Sequence, residues 1–386
     1  MLLKPRVAFI DGDVNIEYVN QIVSKKQDIK QILTINNGKV IQSTGSLSNA
    51  LSHATLCSKV FFNHVTCDCE ISYLNIWEED EINANIRDLV KALSWCLEND
   101  IQLINLSLGT TRLADIPDLL TVTNQLIVKG VIIVAASSNQ RKLTFPAAFE
   151  QVIGVKAIPE NKKQKTGFIY HETSIDRIQI SCYFSDEFLD YKEEYYYLGA
   201  SNSLVAPIVS AKVCDLLSEG YNSLEEIKKQ LKACSFEKAS ETLRKMYKKY
   251  FEGEIEIPVL VYLKGKNEHF FKDFNNYFAN QNYHGICLSE YSDNDFLASV
   301  INIKNMGYPL MKKIRFYAHY CQADYLFIEV NNESQIEQLK FNEVDFFLHP
   351  SGFNISGIDE QTLCLLVPSD GDSTVLIEKI YHFLVD

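Results

Sequence analysis

The sequence predicts an α/β protein: a doubly wound parallel sheet followed by a second, smaller α/β domain. Three observations carry this. Short apolar runs alternate with amphipathic stretches of helical length over the first 215 residues, and the alternation restarts after residue 255. The composition is that of a globular chain, with 46% hydrophobic and 23% charged residues among 386, a length that suits two domains. Strands that are apolar throughout, separated by helices, form parallel sheets covered on both faces.

In chain order, strands are expected at 6–10, 59–63, 101–106, 131–135 and 152–156. Helices are expected at 83–99 and 117–129 between them, and at 203–218, where Val205, Val209, Val213 and Leu216 recur at helical spacing. Residues 223–255 are expected to form a helical linker, rich in Lys and Glu, that ends in a hinge at 251–255. The domain boundaries are therefore 1–222, 223–255 and 256–386. In the last of these, strands are expected at 259–263, 285–288, 325–330, 344–348 and 363–367, with helices at 268–281, 295–306, 334–340 and 373–384.

The net charge of −13 excludes phosphate backbones and anionic membranes as natural partners. No apolar run reaches the roughly 20 residues of a membrane span. The opening Met1-Leu2-Leu3-Lys4-Pro5-Arg6 runs straight into a strand, without the apolar region and cleavage site of a signal peptide. The ten cysteines are scattered, mostly inside apolar runs, and read as reduced core thiols. A cytoplasmic protein acting on a peptide, protein or small molecule is expected.

Four local features bear on chemistry. The run Val7-Ala8-Phe9-Ile10 ends in Asp11, at the end of a strand where α/β sheets place functional groups; taken alone, it reads first as an Asx turn or a helix cap. Ser52-His53-Ala54-Thr55 precedes an apolar stretch. Two strands end in small polar residues, Ser107-Leu108-Gly109 and Ala135-Ala136-Ser137-Ser138-Asn139, leaving edges for a substrate backbone. Ser201-Asn202-Ser203-Leu204-Val205-Ala206-Pro207 delivers a serine to the start of a helix. Asp, His, Asn and Ser thus follow in that order.

Over residues 5 to 235 the chain resembles the subtilisin-like serine proteases, the subtilases. Asp11 falls on the family's Asp-Thr/Ser-Gly aspartate, His53 and Thr55 on His-Gly-Thr, and Ser107 and Gly109 on the Ser-x-Gly substrate strand. Asn139 falls on the asparagine of Ala-Ala-Gly-Asn, and Phe145-Pro146-Ala147 on Tyr-Pro-Ala. Ser203 and Pro207 fall on Gly-Thr-Ser-Met-Ala-x-Pro. Ala54, Asp13, Ser138 and Ser201-Asn202 depart from that pattern, and Gly199-Ala200-Ser201 offers a second register for the serine.

The resemblance implies a subtilisin-like fold and an intracellular serine endopeptidase with Asp11, His53 and Ser203 as catalytic triad and Asn139 in the oxyanion hole. Ser107, Leu108, Gly109, Ala135, Ala136 and Ser137 would line the substrate. The alternative is a weak or dead scaffold that binds a peptide without cutting it. Cytosolic subtilases with an extra C-terminal domain resemble the proteases that mature ribosomally made peptide natural products, so a precursor peptide is an expected substrate.

Cys67-Asp68-Cys69 lacks zinc-site spacing. No cofactor, catalytic metal or structural calcium is expected. Lys264-Gly265-Lys266 lacks the rest of a phosphate loop, and Tyr195-Tyr196-Tyr197 reads as a β segment near the serine. The second domain is expected to serve recognition, docking or homodimer formation.

Overall fold

The computed structural model describes residues 4–45, 50–77, 84–159, 167–236, 241–264, 270–290, 300–350, 362–368 and 373–385. The chain divides into two compact units, Met1–Thr111 with Asp118–Ala239, and Arg112–Pro117 with Ser240–Asp386.

The strands of the first unit are β1 (Arg6–Asp11), β2 (Gln27–Asn36), β3 (Lys39–Gln42), β4 (Cys69–Asn75), β5 (Leu103–Leu106), β6 (Ile132–Ala136), β7 (Ile153–Pro159), β8 (Phe168–Tyr170) and β9 (Ile180–Phe184). They form a nine-stranded sheet in the order β3-β2-β4-β1-β5-β6-β7-β9-β8. All neighbours are parallel except the edge pairs β2–β3 and β8–β9. The chain leaves β1 for β2, returns to β4 beside β1, then crosses to β5 on its other side. That makes β1 the switch point of the winding, whose carboxyl end opens the crevice.

The helices here are α1 (Ile16–Ile22), α2 (His53–His64), α3 (Ile86–Glu98), α4 (Ile116–Val128), α5 (Asn202–Ser218) and α6 (Leu224–Ala233). One face of the sheet buries Val7, Phe9, Ile71 and Tyr73 under α2 and α5, which supply Ala54, Cys57, Phe61, Val205 and Val209. A hairpin of β10 (Glu187–Tyr191) and β11 (Glu194–Leu198) leads into α5 and includes the tyrosines read as a β segment.

Three features of this unit differ from expectation. Residues 59–63 are helical: the Ser52 side chain caps α2 by accepting from Thr55 N–H, and Ala54, Cys57 and Phe61 share its buried face. The strand next to β1 is instead β4. The β2–β3 hairpin was not expected, although Asn37-Gly38 at its turn has the positive φ angles, 51° and 73°, of a tight hairpin. The expected start of the 83–99 helix at Asn83 lies outside the described residues; the helix observed, α3, runs from Ile86 to Glu98, with Asn85 as its N-cap and Asn99 as its C-cap.

The second unit holds β12 (Val259–Leu263), β13 (Gly285–Ser289), β14 (Val300–Asn302), β15 (Tyr325–Val330), β16 (Phe346–Pro350) and β17 (Leu363–Val367) in a parallel sheet ordered β14-β13-β15-β12-β16-β17. Its helices are α7 (Glu241–Glu252), α8 (Phe270–Asn280), α9 (Leu310–Tyr320), α10 (Glu333–Ile336) and α11 (Thr374–Val385). Tyr262, Phe270, Phe274, Phe278, Phe327 and Phe346 fill its core. The helix expected at 295–306 is contradicted where the structure describes it, because residues 300–302 pair with β13 as β14; residues 295–299 and Gly265 lie outside the described residues. The unit boundary falls inside the stretch read as a helical linker, with α6 in the first unit and α7 in the second.

Candidate active site

Asp11 is the last residue of β1 and is buried, with one carboxylate oxygen accepting the Gly12 N–H at 2.7 Å. His53 opens α2, and its Nδ1 lies 2.9 and 3.0 Å from the two Asp11 oxygens. A carboxylate only accepts, so Nδ1 carries a hydrogen, and Nε2 is the nitrogen that accepts once the ring is neutral. The ring is about one-third exposed, at 34%, and stacks on Trp77 with centroids 6.2 Å apart. Burial pushes the imidazole pKa down, but the Asp11 carboxylate, with help from the Cys57 sulfur, overrides this and raises it to about 11.

Ser203 is the second residue of α5 and is buried. Ser201 takes the N-cap position and its Oγ lies 3.1 Å from Ser203 Oγ. Ser203 Oγ makes no hydrogen bond to His53 among the described residues. Its carbonyl accepts from Ser107 Oγ at 3.3 Å and from the Cys57 thiol at 3.6 Å. Asn105 Nδ2 donates to Ser107 Oγ and Asn105 Oδ1 accepts from Ser210, so a buried polar chain ties β5 to two turns of α5.

Asn139 is exposed just past β6. Its Oδ1 accepts the Asn202 N–H at 2.9 Å, which leaves its NH2 as a donor beside the start of α5. With the Asn202 N–H given to Asn139 and the Leu204 N–H to the Ser201 carbonyl, that helix end offers the Ser203 N–H and the positive pole of the dipole, both of which favour an anion.

The expected substrate residues fall into two groups. Leu108 is half-buried and Gly109 exposed. A Cβ on Gly109 would stand 2.5 Å from the Phe145 carbonyl oxygen, so only glycine fits beside the Thr110–Phe145 bridge. The Ser107 side chain turns inward, into the polar chain already described. The open edge expected at Ala135 and Ala136 is not there: both are buried, β6 pairs with β5 and β7, and Ser137 N–H donates to Val155.

Three contributors went unread in the sequence. Asn202 takes Ala157 N–H on Oδ1 at 2.7 Å, while its Nδ2 donates to Ser137 Oγ and Ser138 C=O at 3.0 and 2.9 Å. Trp77 follows β4, whose Asn75 is in register with Asp11; that register was its only signal. Cys57 lies one turn after His53, with Sγ 3.9 Å from Nδ1 and 3.4 Å from Ser107 Oγ. Asp11, His53 and Cys57 offer ligand atoms within 4.8 Å of one another, enough to hold a cation, within the same site. Cys67 Sγ lies 3.5 Å from Cys214, and both are free thiols.

The sequence profile of the subtilase family matches residues 34–250. The minor extracellular protease Epr of Bacillus subtilis (strain 168) is 30% identical over 132 residues, which are 33% of this chain. The matched part spans 20% of that relative's length. Among solved structures, the prenylagaramide maturation protease PagA is 21% identical, with 58% of this chain and 82% of the other covered at a TM-score of 0.44. A lanthipeptide protease is 15% identical, with 61% and 81% covered at 0.46. The nisin leader peptidase NisP of Lactococcus lactis is 14% identical, with 58% and 81% covered at 0.44. The family profile covers more than half of the chain and spans the elements that carry His53, Asn139 and Ser203: the chain belongs to the subtilase family.

Proposed function

We propose that the protein is a serine endopeptidase in which Ser203 attacks the scissile carbonyl. The observation that carries this reading is the His53–Asp11 pair, whose geometry leaves Nε2 as a base while both carboxylate oxygens hold Nδ1. His53 takes the Ser203 proton and returns it to the leaving amine, and Asp11 stabilises the imidazolium between those steps. The Asn139 NH2 and the Ser203 N–H at the head of α5 hold the oxyanion. Leu108 and Gly109 border the substrate backbone.

The substrate in this proposal is a precursor peptide and the setting intracellular. The setting is supported by the cysteines, which are free thiols even where Cys67 and Cys214 lie 3.5 Å apart, as in a reducing compartment. The second unit would serve recognition, docking or dimerisation.

A second reading, a scaffold that binds a peptide without cutting it, is favoured by one observation: Ser203 Oγ is bonded to Ser201 and not to His53. Catalytic hydrogen bonds are often long before substrate arrives, which is why we place hydrolysis first. A fluorophosphonate probe separates the two. Labelling that Ser203→Ala abolishes and Ser201→Ala spares supports the peptidase. Folded protein that never labels supports the scaffold.

A further inference from the structure

We propose that the outer face of the β10–β11 hairpin docks a lysine- or arginine-bearing segment of the peptide substrate; this rests on the peptidase reading above. Strand register places Phe188 opposite Tyr197 and Asp190 opposite Tyr195. Opposed residues of an antiparallel pair share a face, as do residues two apart, so these four side chains lie together. Phe188, Tyr195 and Tyr197 are 76%, 81% and 59% exposed, and the Phe188 and Tyr197 rings stand 5.1 Å apart.

The hairpin is fixed from its other side. Tyr191 packs edge-on against Tyr18, with centroids 4.9 Å apart, and Leu189 and Tyr196 pack with Tyr18, Leu51 and Tyr191. Tyr196 OH accepts the Leu51 N–H at 2.8 Å, two residues before His53, while β11 ends at Leu198 and the chain then turns into α5 with Ser203. The hairpin is thus tied to both elements that carry the proposed base and nucleophile. The docked segment is a part of the peptide away from the scissile bond, since the outer face is the one that Tyr18 and Leu51 leave uncovered.

Charge selects the occupant. The hairpin and its approach carry Asp186, Glu187, Asp190, Glu193 and Glu194 against Lys192. Lys192 is held by Glu17, and Glu187 pairs with Lys59. Glu194 and Asp186 accept from the Tyr196 and Tyr197 hydroxyls. Asp190 and Glu193 have no ion-pair partner among the described residues. Open aromatic faces beside uncompensated carboxylates attract a guanidinium or ammonium through the ring quadrupole and the carboxylate together. An acidic peptide is repelled.

The test uses full-length Ser203→Ala protein, which reads docking without cleavage, so failure of the peptidase reading leaves its result intact. A fluorescein-labelled arginine–glycine repeat peptide is titrated by anisotropy against this protein, against the same protein carrying Phe188→Ala, Tyr195→Ala and Tyr197→Ala, and against Asp190→Asn. The triple change leaves net charge untouched and sits on exposed positions, which separates ring recognition from bulk attraction. We expect binding to weaken on the order of tenfold in the triple variant, to weaken in Asp190→Asn, and to survive Tyr195→Phe with Tyr197→Phe. Equal affinity for the triple variant overturns the proposal. So does equal affinity for a glutamate–glycine repeat, or self-association that the triple variant abolishes without any arginine-peptide binding.

Discussion

The side chain of Asn202 spans three elements: it reaches Ala157 in β7 and Ser137–Ser138 beyond β6 from the head of α5. It holds Ser203 and Asn139 at a fixed separation without needing to touch a substrate. Asn202→Ala should therefore lower kcat roughly 10- to 100-fold with little change in KM, since small misplacements of reacting groups cost that much. The lost hydrogen bonds should also cost about 1–3 kcal/mol of stability. A stability loss with unchanged kcat would make Asn202 a structural residue only. At Asp11 the prediction concerns pH. His53 acts as a base only when neutral, and the Asp11 carboxylate lifts its pKa above the ordinary range. The ascending limb of kcat/KM should thus lie on the alkaline side, with activity rising as pH rises. Asp11→Asn removes the lifting charge, so the limb should move to lower pH while the maximum rate falls. A limb that stays in place would mean that another group titrates.

His171, after β8, shows the opposite sign of titration. Its Nε2 meets Ser181 Oγ at 2.8 Å across the β8–β9 pair. Burial, with Lys156 nearby outweighing Asp176, lowers its pKa to about 4. A depressed pKa means that the unfolded chain binds the proton more readily. The stability this histidine contributes is present above about pH 6.5 and is lost as pH falls toward 4. Thermal melts should show Tm dropping through that window, and His171→Gln should flatten the drop. An unchanged slope would place the acid sensitivity elsewhere. Elements also explain what the sequence could and could not tell. The residues at strand ends and helix heads were legible because Asp11, His53, Asn139 and Ser203 belong to local motifs with a fixed order. Residues 59–63 were not, because Val60-Phe61-Phe62 suits a buried strand or a buried helix equally, and the cap that decides it is seven residues upstream at Ser52. Asn202, Trp77 and Cys57 were illegible for another reason. Their work is done through partners distant in the chain, such as Ala157 for Asn202 and Ser107 for Cys57, and no local pattern announces such contacts.

At the scale of the molecule, the second unit has a parallel sheet and an aromatic core of its own, which is what a separately folding domain requires. Its first helix belongs to it. Tyr247 and Tyr250 of α7 stand edge-on to Phe316 and Tyr320 of α9, with centroids 5.4 to 6.3 Å apart. A fragment of residues 237–386 should therefore melt cooperatively, whereas one of 256–386 leaves Phe316 and Tyr320 without those rings. Losing a buried large aromatic costs about 3–5 kcal/mol, and whole domains are stable by only about 5–15 kcal/mol. The shorter fragment should melt far lower or not cooperatively, as read by circular dichroism; equal Tm values would remove α7 from that core. The complementary fragment, 1–236, tests what the second unit is for. A domain that captures substrate contributes remote binding energy and no chemistry, so its removal should spare hydrolysis of a short activated ester and greatly weaken cleavage of a long peptide. Both rates are measured on the same preparation, with the melt of the fragment confirming that it is folded. Equal loss on ester and peptide by a folded fragment would sink the recognition role and leave the second unit as support for the first.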